Sequence, residues 1–342
     1  MRIRVQDRLK PFSHKPGHET LIPGTYCSVA CFPAFLECTD LTDMRKKSVV
    51  LPVKGPVSGF TVESDLEKRL VLIYGMSEEG YFRFVLKAEE DEVLFLVEKD
   101  PSASIEKKIV LIKGIQTTEK ASTETLFLGS TKAKDLDKIR ERRDLFEILP
   151  LWYQIGQITP EVKEEKGKML SFLETCQTKI EKKDKEAKSS VLSLYLAGLS
   201  AGFVPRSTDT EFQGIIETSK SEPLSVIGIL PSGASMIRSV FFLEKEGKYF
   251  FHPYLPPSFI VGKMIGVKTT DGDRFDFEWT KGRMRKVSVI CPKQKTVTCV
   301  FPSALKRYRV RKNLKDKGKI LKNGESFTVN QGETLFLDRF EM

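Results

Sequence analysis

The stretch "DGDRFDFEWTKGRMRKVSVI", Asp271 to Ile290, carries four carboxylates, a residue type and density suited to holding a hard cation. Asp271, Asp273 and Asp276 match the opening of a calcium loop, which continues with oxygen ligands and ends on a bidentate Glu at its twelfth position. Here that position is Gly282, so the calcium pattern fails. Read with period two, Phe275, Phe277 and Trp279 share one face of a strand, and Asp276, Glu278 and Thr280 share the other. Lys281-Gly282 then supplies a two-residue turn, and the register sets Glu278 opposite Arg285. The stretch reads as a hairpin with a charged face.

Other chemistry-bearing residues are scattered. The six cysteines form no Cys-x-x-Cys pair, and His14, His18 and His252 lie too far apart for a zinc motif, so no metal and no cofactor is expected. Cys27 and Cys31 share parity with Val29 and read as reduced thiols facing a core. Walker A, Gly-x-Ser-x-Gly and His-Glu-x-x-His motifs are missing. Glycoside hydrolysis needs two carboxyl groups, about 5.5 Å apart for retention and roughly 6.5–9.5 Å for inversion. Asp209 and Glu211 in "VPRSTDTEFQG" are the best local pair, although Ser207, Thr208 and Asp209 are also good turn and cap residues. Asp65 and Glu67 read as a solvated turn.

Binding asks for less than catalysis. Exposed aromatic rings beside planar polar groups suit a sugar, and Trp152, Tyr153, Gln154 and Gln157 form one candidate set, with Tyr249, His252 and Tyr254 another. The competing reading makes Trp152 and Trp279 core anchors, where large aromatics usually sit. Between Leu305 and Lys322, nine Lys and Arg residues face a single Asp. Strand alternation sets Arg307, Arg309 and Arg311 on one face beside Lys306 and Lys312, a geometry able to track phosphates. Edge protection and solubility account for such a run equally well, and no groove-reading helix or RNP-like signature accompanies it. Nucleic acid is therefore the weaker expectation behind carbohydrate or protein.

These residues need elements to hold them. The 342 residues are 40% hydrophobic and 30% charged with a net charge of +10, enough chain for more than one core and a basic surface. Residues 1–133 read as short β-branched and aromatic strands, expected to form an N-terminal β-sandwich. From Lys134 the period becomes helical. Leu136, Ile139, Arg143 and Phe146 make one stripe up to Pro150, a second helix is expected from Thr159 through Ile180, and a third from Ser189 until Pro205. Residues 134–211 are thus a helical bridge of three or four helices. Alternation returns in 212–342, where "LSVIGIL", "SMIRSVFFLEKEGKYFF" and the segments after them read as strands of a C-terminal β-sandwich. No run approaches the ~18 apolar residues of a membrane span, and the charged start lacks a signal peptide's apolar region, so a cytoplasmic protein without membrane insertion is expected.

Two stretches resemble a known family. "FHPYLPPSFIVGKMIGVKTTDGDRFDFEWTKGRMRKVSVI" is similar to the C-terminal β-domain of bacterial family 95 glycoside hydrolases, the α-L-fucosidase family. Tyr254, Leu255, Pro256, Gly262, Gly266, Gly272, Trp279 and Gly282 hold the matching spacing. "FTVESDLEKRLVLIYGMSEEGYFRFVLKAEEDEVLFLVE" resembles the same enzymes' N-terminal sandwich at Asp65, Leu66, Tyr74, Gly80 and Arg83, and the ending "NGESFTVNQGETLFL" their closing strands. The family places a catalytic (α/α)6 barrel between its two β regions. Twelve helices of about 11 residues do not fit in roughly 70 residues, so no catalytic residue carries over. The resemblance implies a mainly β protein with a helical middle, two β-sandwiches bridged by a helical stub, lacking glycosidase activity and retaining carbohydrate or protein binding.

Overall fold

Alternating apolar residues put the first half of the chain into two antiparallel sheets, as a computed structural model shows. It describes residues 3, 9–101, 106–118, 124–129, 132–161, 168–206, 226–313 and 315–342. The strands of this half are β1 (Phe12–Ser13), β2 (His18–Leu21), β3 (Cys27–Cys31), β4 (Phe35–Asp40), β5 (Lys46–Val50), β6 (Ser58–Asp65), β7 (Leu70–Ser77), β8 (Gly80–Glu89), β9 (Glu92–Lys99) and β10 (Lys108–Lys113). One sheet runs β2-β3-β4-β5 and the other β1-β6-β7-β8-β9-β10. Cys27, Val29, Cys31 and Cys38 from the first share a core with Val62, Phe82, Phe84 and Phe95 from the second. The expected common face of Cys27, Val29 and Cys31 is thus present. Asp65 departs from its solvated reading: it is buried, bonded to the Lys10 ammonium at 2.7 Å, and accepts from Lys68 N at 2.9 Å.

The second pair of sheets uses β11 (Thr125–Phe127), β12 (Phe242–Lys245), β13 (Lys248–Phe251), β14 (Val261–Lys268), β15 (Arg274–Thr280), β16 (Arg283–Ile290), β17 (Lys295–Val300), β18 (Arg307–Arg311), β19 (Lys319–Lys322), β20 (Ser326–Val329) and β21 (Thr334–Glu341). Their orders are β11-β14-β15-β16-β21-β18-β19 and β12-β13-β17-β20. Phe275, Phe277 and Trp279 face inward as their spacing predicts; Phe275 and Phe277 meet Phe242, Tyr249 and Phe251 of the smaller sheet, and Trp279 meets Phe241. Lys281 (φ 52°) and Gly282 (φ 67°) make the expected tight turn between β15 and β16. The register differs by one. A bulge between Glu278 and Trp279 brings Glu278 opposite Lys286, not Arg285, and the ions meet at 3.0 Å. Gly262 is required by close approach, since a Cβ there would lie 2.2 Å from the Trp279 indole.

Five helices lie between the β regions among the described residues: α1 (Leu136–Arg142), α2 (Leu145–Gln157), α3 (Lys168–Glu181), α4 (Ala187–Gly198) and α5 (Ile229–Phe241). The stripe expected to run from Leu136 to Pro150 breaks at Arg143, which takes a left-handed conformation, and Asp144 then caps α2 by accepting from Phe146 N. Pro150 does not end α2. Burial of Ile148, Leu149, Leu151, Trp152, Tyr153 and Ile155 outweighs the roughly 3 kcal/mol an interior proline costs. The next helix, expected from Thr159, does not start there: Thr159, Pro160 and Glu161 are non-helical, the Thr159 hydroxyl donates back to Gly156 O at 2.9 Å, and residues 162–167 lie outside the described residues.

The segment Ile229 to Phe241, expected as strand, is helical. Leu230, Ala234, Ile237 and Phe241 recur at three- and four-residue intervals and bury one face. The helical middle flanked by β-rich regions is as expected, with five helices among the described residues in place of three or four. The helices share one continuous core with the second pair of sheets, and Leu9, Leu21 and Leu66 of the first half enter it too. β11 precedes all five helices in sequence yet pairs with β14 in the seven-stranded sheet. Among the described residues, no helix is long and apolar enough to cross a membrane.

Candidate ligand cleft between two helices

Small residues let α2 and α5 cross closely. A Cβ on Gly156 would sit 2.2 Å from the Leu230 carbonyl oxygen, and one on Gly233 would sit 2.5 Å from the Trp152 indole. Beside this crossing opens a cleft of about 220 Å³, with Glu124, Tyr153, Gln157, Glu161, Ser235 and Arg238 on its walls. Glu124 immediately precedes β11, Tyr153 and Gln157 stand one turn apart on α2, and Arg238 comes from the last turn of α5. Two helices and the segment leading into β11 therefore meet at one carboxylate.

Glu124 accepts from the Tyr153 hydroxyl and from Arg238 Nε at 3.0 Å through Oε2, and from Lys268 N at 2.9 Å and Arg238 Nη2 at 3.5 Å through Oε1. Arg238 Nη2 also donates to the Lys268 carbonyl at 2.6 Å, and the guanidinium lies 5.0 Å from the Phe242 ring centroid. Burial, then the Glu124 charge, holds the Tyr153 hydroxyl well above its ordinary pKa, so it remains a donor at neutral pH. Burial works against the Arg238 cation, but Glu124 and Tyr153 outweigh it and its pKa is raised. These bonds let Glu124 fix the positions of Tyr153 and Arg238 relative to β14. Arg238 Nη1 makes no bond to the described protein and supplies two N–H donors.

Most of the expected stacking rings are interior. Trp152 is fully buried and donates from Nε1 to Ile229 O at 3.2 Å, so it takes the core-anchor role and offers no open face. Gln154 is buried, with Oε1 unpaired among the described residues. His252 is buried with φ 53° and its ring centroid 4.5 Å from that of Trp279. Tyr254 is half-buried against the second core. Tyr249 is buried and belongs to an ionic cluster. Its hydroxyl donates to Asp273 at 2.6 Å, while Lys295 reaches Tyr249, Asp273 and Asp271 at 3.0, 2.8 and 2.7 Å. Burial and then Asp273 push the Tyr249 hydroxyl up to about 12. Two of the carboxylates that suggest a calcium loop are thus paired with a lysine, tying the β14–β15 turn to the smaller sheet. Among the described residues, no group of three His, Cys, Asp or Glu side chains is placed to hold a metal.

Asp209 and Glu211 lie outside the described residues. The basic run does alternate, with Arg307, Arg309 and Arg311 outward and Tyr308 and Val310 buried. Part of its charge is answered by carboxylates of the closing segment. Arg307 pairs with Glu341, Arg309 and Arg311 with Asp338, and Lys312 with Glu333, while Lys306 is exposed. Tyr153 and Gln157 of the cleft are candidates from the sequence, but the Tyr153 ring is buried and offers no stacking face; Glu124 and Arg238, 114 positions apart, are not among those candidates. The helical period of α5 was the available signal for Arg238, because it places that residue at the helix end beside the apolar face. No protein-family model matches the chain, and neither does any curated protein.

Proposed function

We propose that this is a non-catalytic binding protein of the cytoplasm, built on β regions like those of family 95 glycoside hydrolases, and that the α2–α5 cleft takes a neutral carbohydrate. The observation that carries this reading is the Glu124–Tyr153–Arg238 constellation: a fixed, largely buried carboxylate and guanidinium facing an open cleft. Planar polar groups held in place by other protein groups match a ligand's vicinal hydroxyls without first having to be ordered. Six buried free cysteines suit a reducing compartment. Pairing of the basic run weakens the competing polyanion reading.

The test is an array of neutral and acidic glycans at physiological salt, probed with the intact protein and with Arg238→Gln, and with a single-stranded oligonucleotide as comparator. The expected result is a neutral-glycan signal that Arg238→Gln weakens while thermal unfolding still shows a folded chain. Binding to polyanions alone, fading steeply with salt, would overturn the proposal.

A further inference from the structure

A second surface stands on the outward face of the seven-stranded sheet. Alternation turns Phe275, Phe277, Val287, Val289, Leu335 and Leu337 into the core. Their neighbours therefore point outward in register across three strands. Arg274 pairs with Ile290 and Ile290 with Thr334; Asp276 pairs with Ser288 and Ser288 with Phe336. This grid of six side chains lines an open trough of about 290 Å³. Asp276 is held in place: Oδ1 accepts from Gly266 N at 2.7 Å, where β14 bulges, and Oδ2 from Ser288 Oγ at 3.4 Å, while Arg274 Nε lies 3.5 Å away. Phe336 is half-buried and makes no ring–ring contact among the described residues, whereas the inward aromatics of the same sheet all do.

We propose that this trough is a second carbohydrate-contact surface, taking the apolar C–H face of a neutral sugar on Phe336 and Ile290 while Arg274 and Asp276 read its hydroxyls. The proposal rests on the carbohydrate reading of the chain but uses none of the cleft residues. Three observations select the ligand class. The trough's formal charges are one guanidinium and one carboxylate, so it has no net attraction for phosphate. Its strands are interior, flanked by β14 and β18, so no free edge is available for an added peptide strand. Its floor combines ring and aliphatic surface with planar polar groups on adjacent strands.

The test is electrophoresis of the intact protein through native gels containing dextran, a β-glucan or a xyloglucan, each compared with a gel lacking polysaccharide. Retardation in at least one gel is expected, on the order of tenfold weaker for Phe336→Ala and also reduced for Arg274→Gln. The cleft variant Arg238→Gln should remain retarded. Wild-type migration unaffected by every polysaccharide would overturn the trough proposal, as would full retardation of both trough variants. Retardation by polyuridylate that Phe336→Ala abolishes would overturn it in favour of base stacking. Glycan-array binding weakened in Arg238→Gln, without gel retardation, would leave the cleft standing and remove the trough alone.

Discussion

His252 should make the protein lose stability in mild acid, well above the range where carboxylates titrate. The imidazole is buried against Trp279 and Phe277, and burial lowers its pKa to about 3, against about 6.5 in an unfolded chain. A depressed histidine pKa means that the unfolded state binds the proton more readily. Stability is therefore full above about pH 6.5 and falls as the pH drops from there towards 3. With those two values, going from about pH 7 to about pH 5 costs roughly 2 kcal/mol from this side chain alone. The control is His252→Asn, because asparagine tolerates the positive φ of this position and does not titrate. The substitution leaves a void beside Trp279 and costs stability at every pH, so the informative quantity is the difference between two pH values. Urea unfolding at about pH 7 and about pH 5, followed by tryptophan fluorescence, should give a wild-type loss about 2 kcal/mol larger than that of His252→Asn. Native Trp279 emission should also stay constant over this interval, since an imidazolium in contact would quench it. Equal pH dependence in both proteins, or a native quenching step near pH 6.5, would refute a buried neutral His252.

Three further outcomes follow from specific contacts. Gly156→Ala forces a methyl against the Leu230 carbonyl and should destabilise the fold by about 1–3 kcal/mol in chemical denaturation. Asp273 is a buried carboxylate; burial opposes its charge, but bonds from Lys295, Tyr249 and Cys291 outweigh this and lower its pKa. Its contribution is therefore present above about pH 4 and lost as pH falls through the depressed native value. Asp273→Asn should cost about 2–3 kcal/mol at neutral pH, measured by urea unfolding, and flatten the stability profile below pH 4. Asp338→Asn removes the shared partner of Arg309 and Arg311. It should raise heparin affinity several-fold at low salt and steepen the salt dependence, read by retention on a heparin column.

Period and turn chemistry make much of the scaffold legible in the sequence alone. Lys281-Gly282 specified the hairpin turn, the inward set of Phe275, Phe277 and Trp279 followed from alternation, and Cys27, Val29 and Cys31 declared a shared face. The mainly β character with a helical middle was likewise local information. The errors were local signals overridden by packing. Pro150 would stop an isolated helix, but here the buried sides of α2 carry it onward. The apolar run through α5 was ambiguous between strand and helix until its one-sided burial against α2 decided it. The one-residue bulge at Trp279 moved Glu278 from Arg285 to Lys286, a shift that side-chain type alone does not encode.

What the sequence determined by itself is which residues were apolar, where turns were cheap, and that one segment was strongly basic. Only the tertiary structure decided what those residues were for. Trp152, Tyr249 and His252 are amphipathic, equally fitted to a wet platform or a dry core, and burial assigned them to the core. Four cations of the basic run became paired because the closing segment delivers Glu333, Asp338 and Glu341 beside β18. Glu124 and Arg238 became a site because β11 joins β14 and α5 crosses α2. Charge and hydrogen bonding act over a few ångströms in space, whereas sequence patterns report neighbours along the chain, so groups 114 positions apart meet only when the fold brings them together.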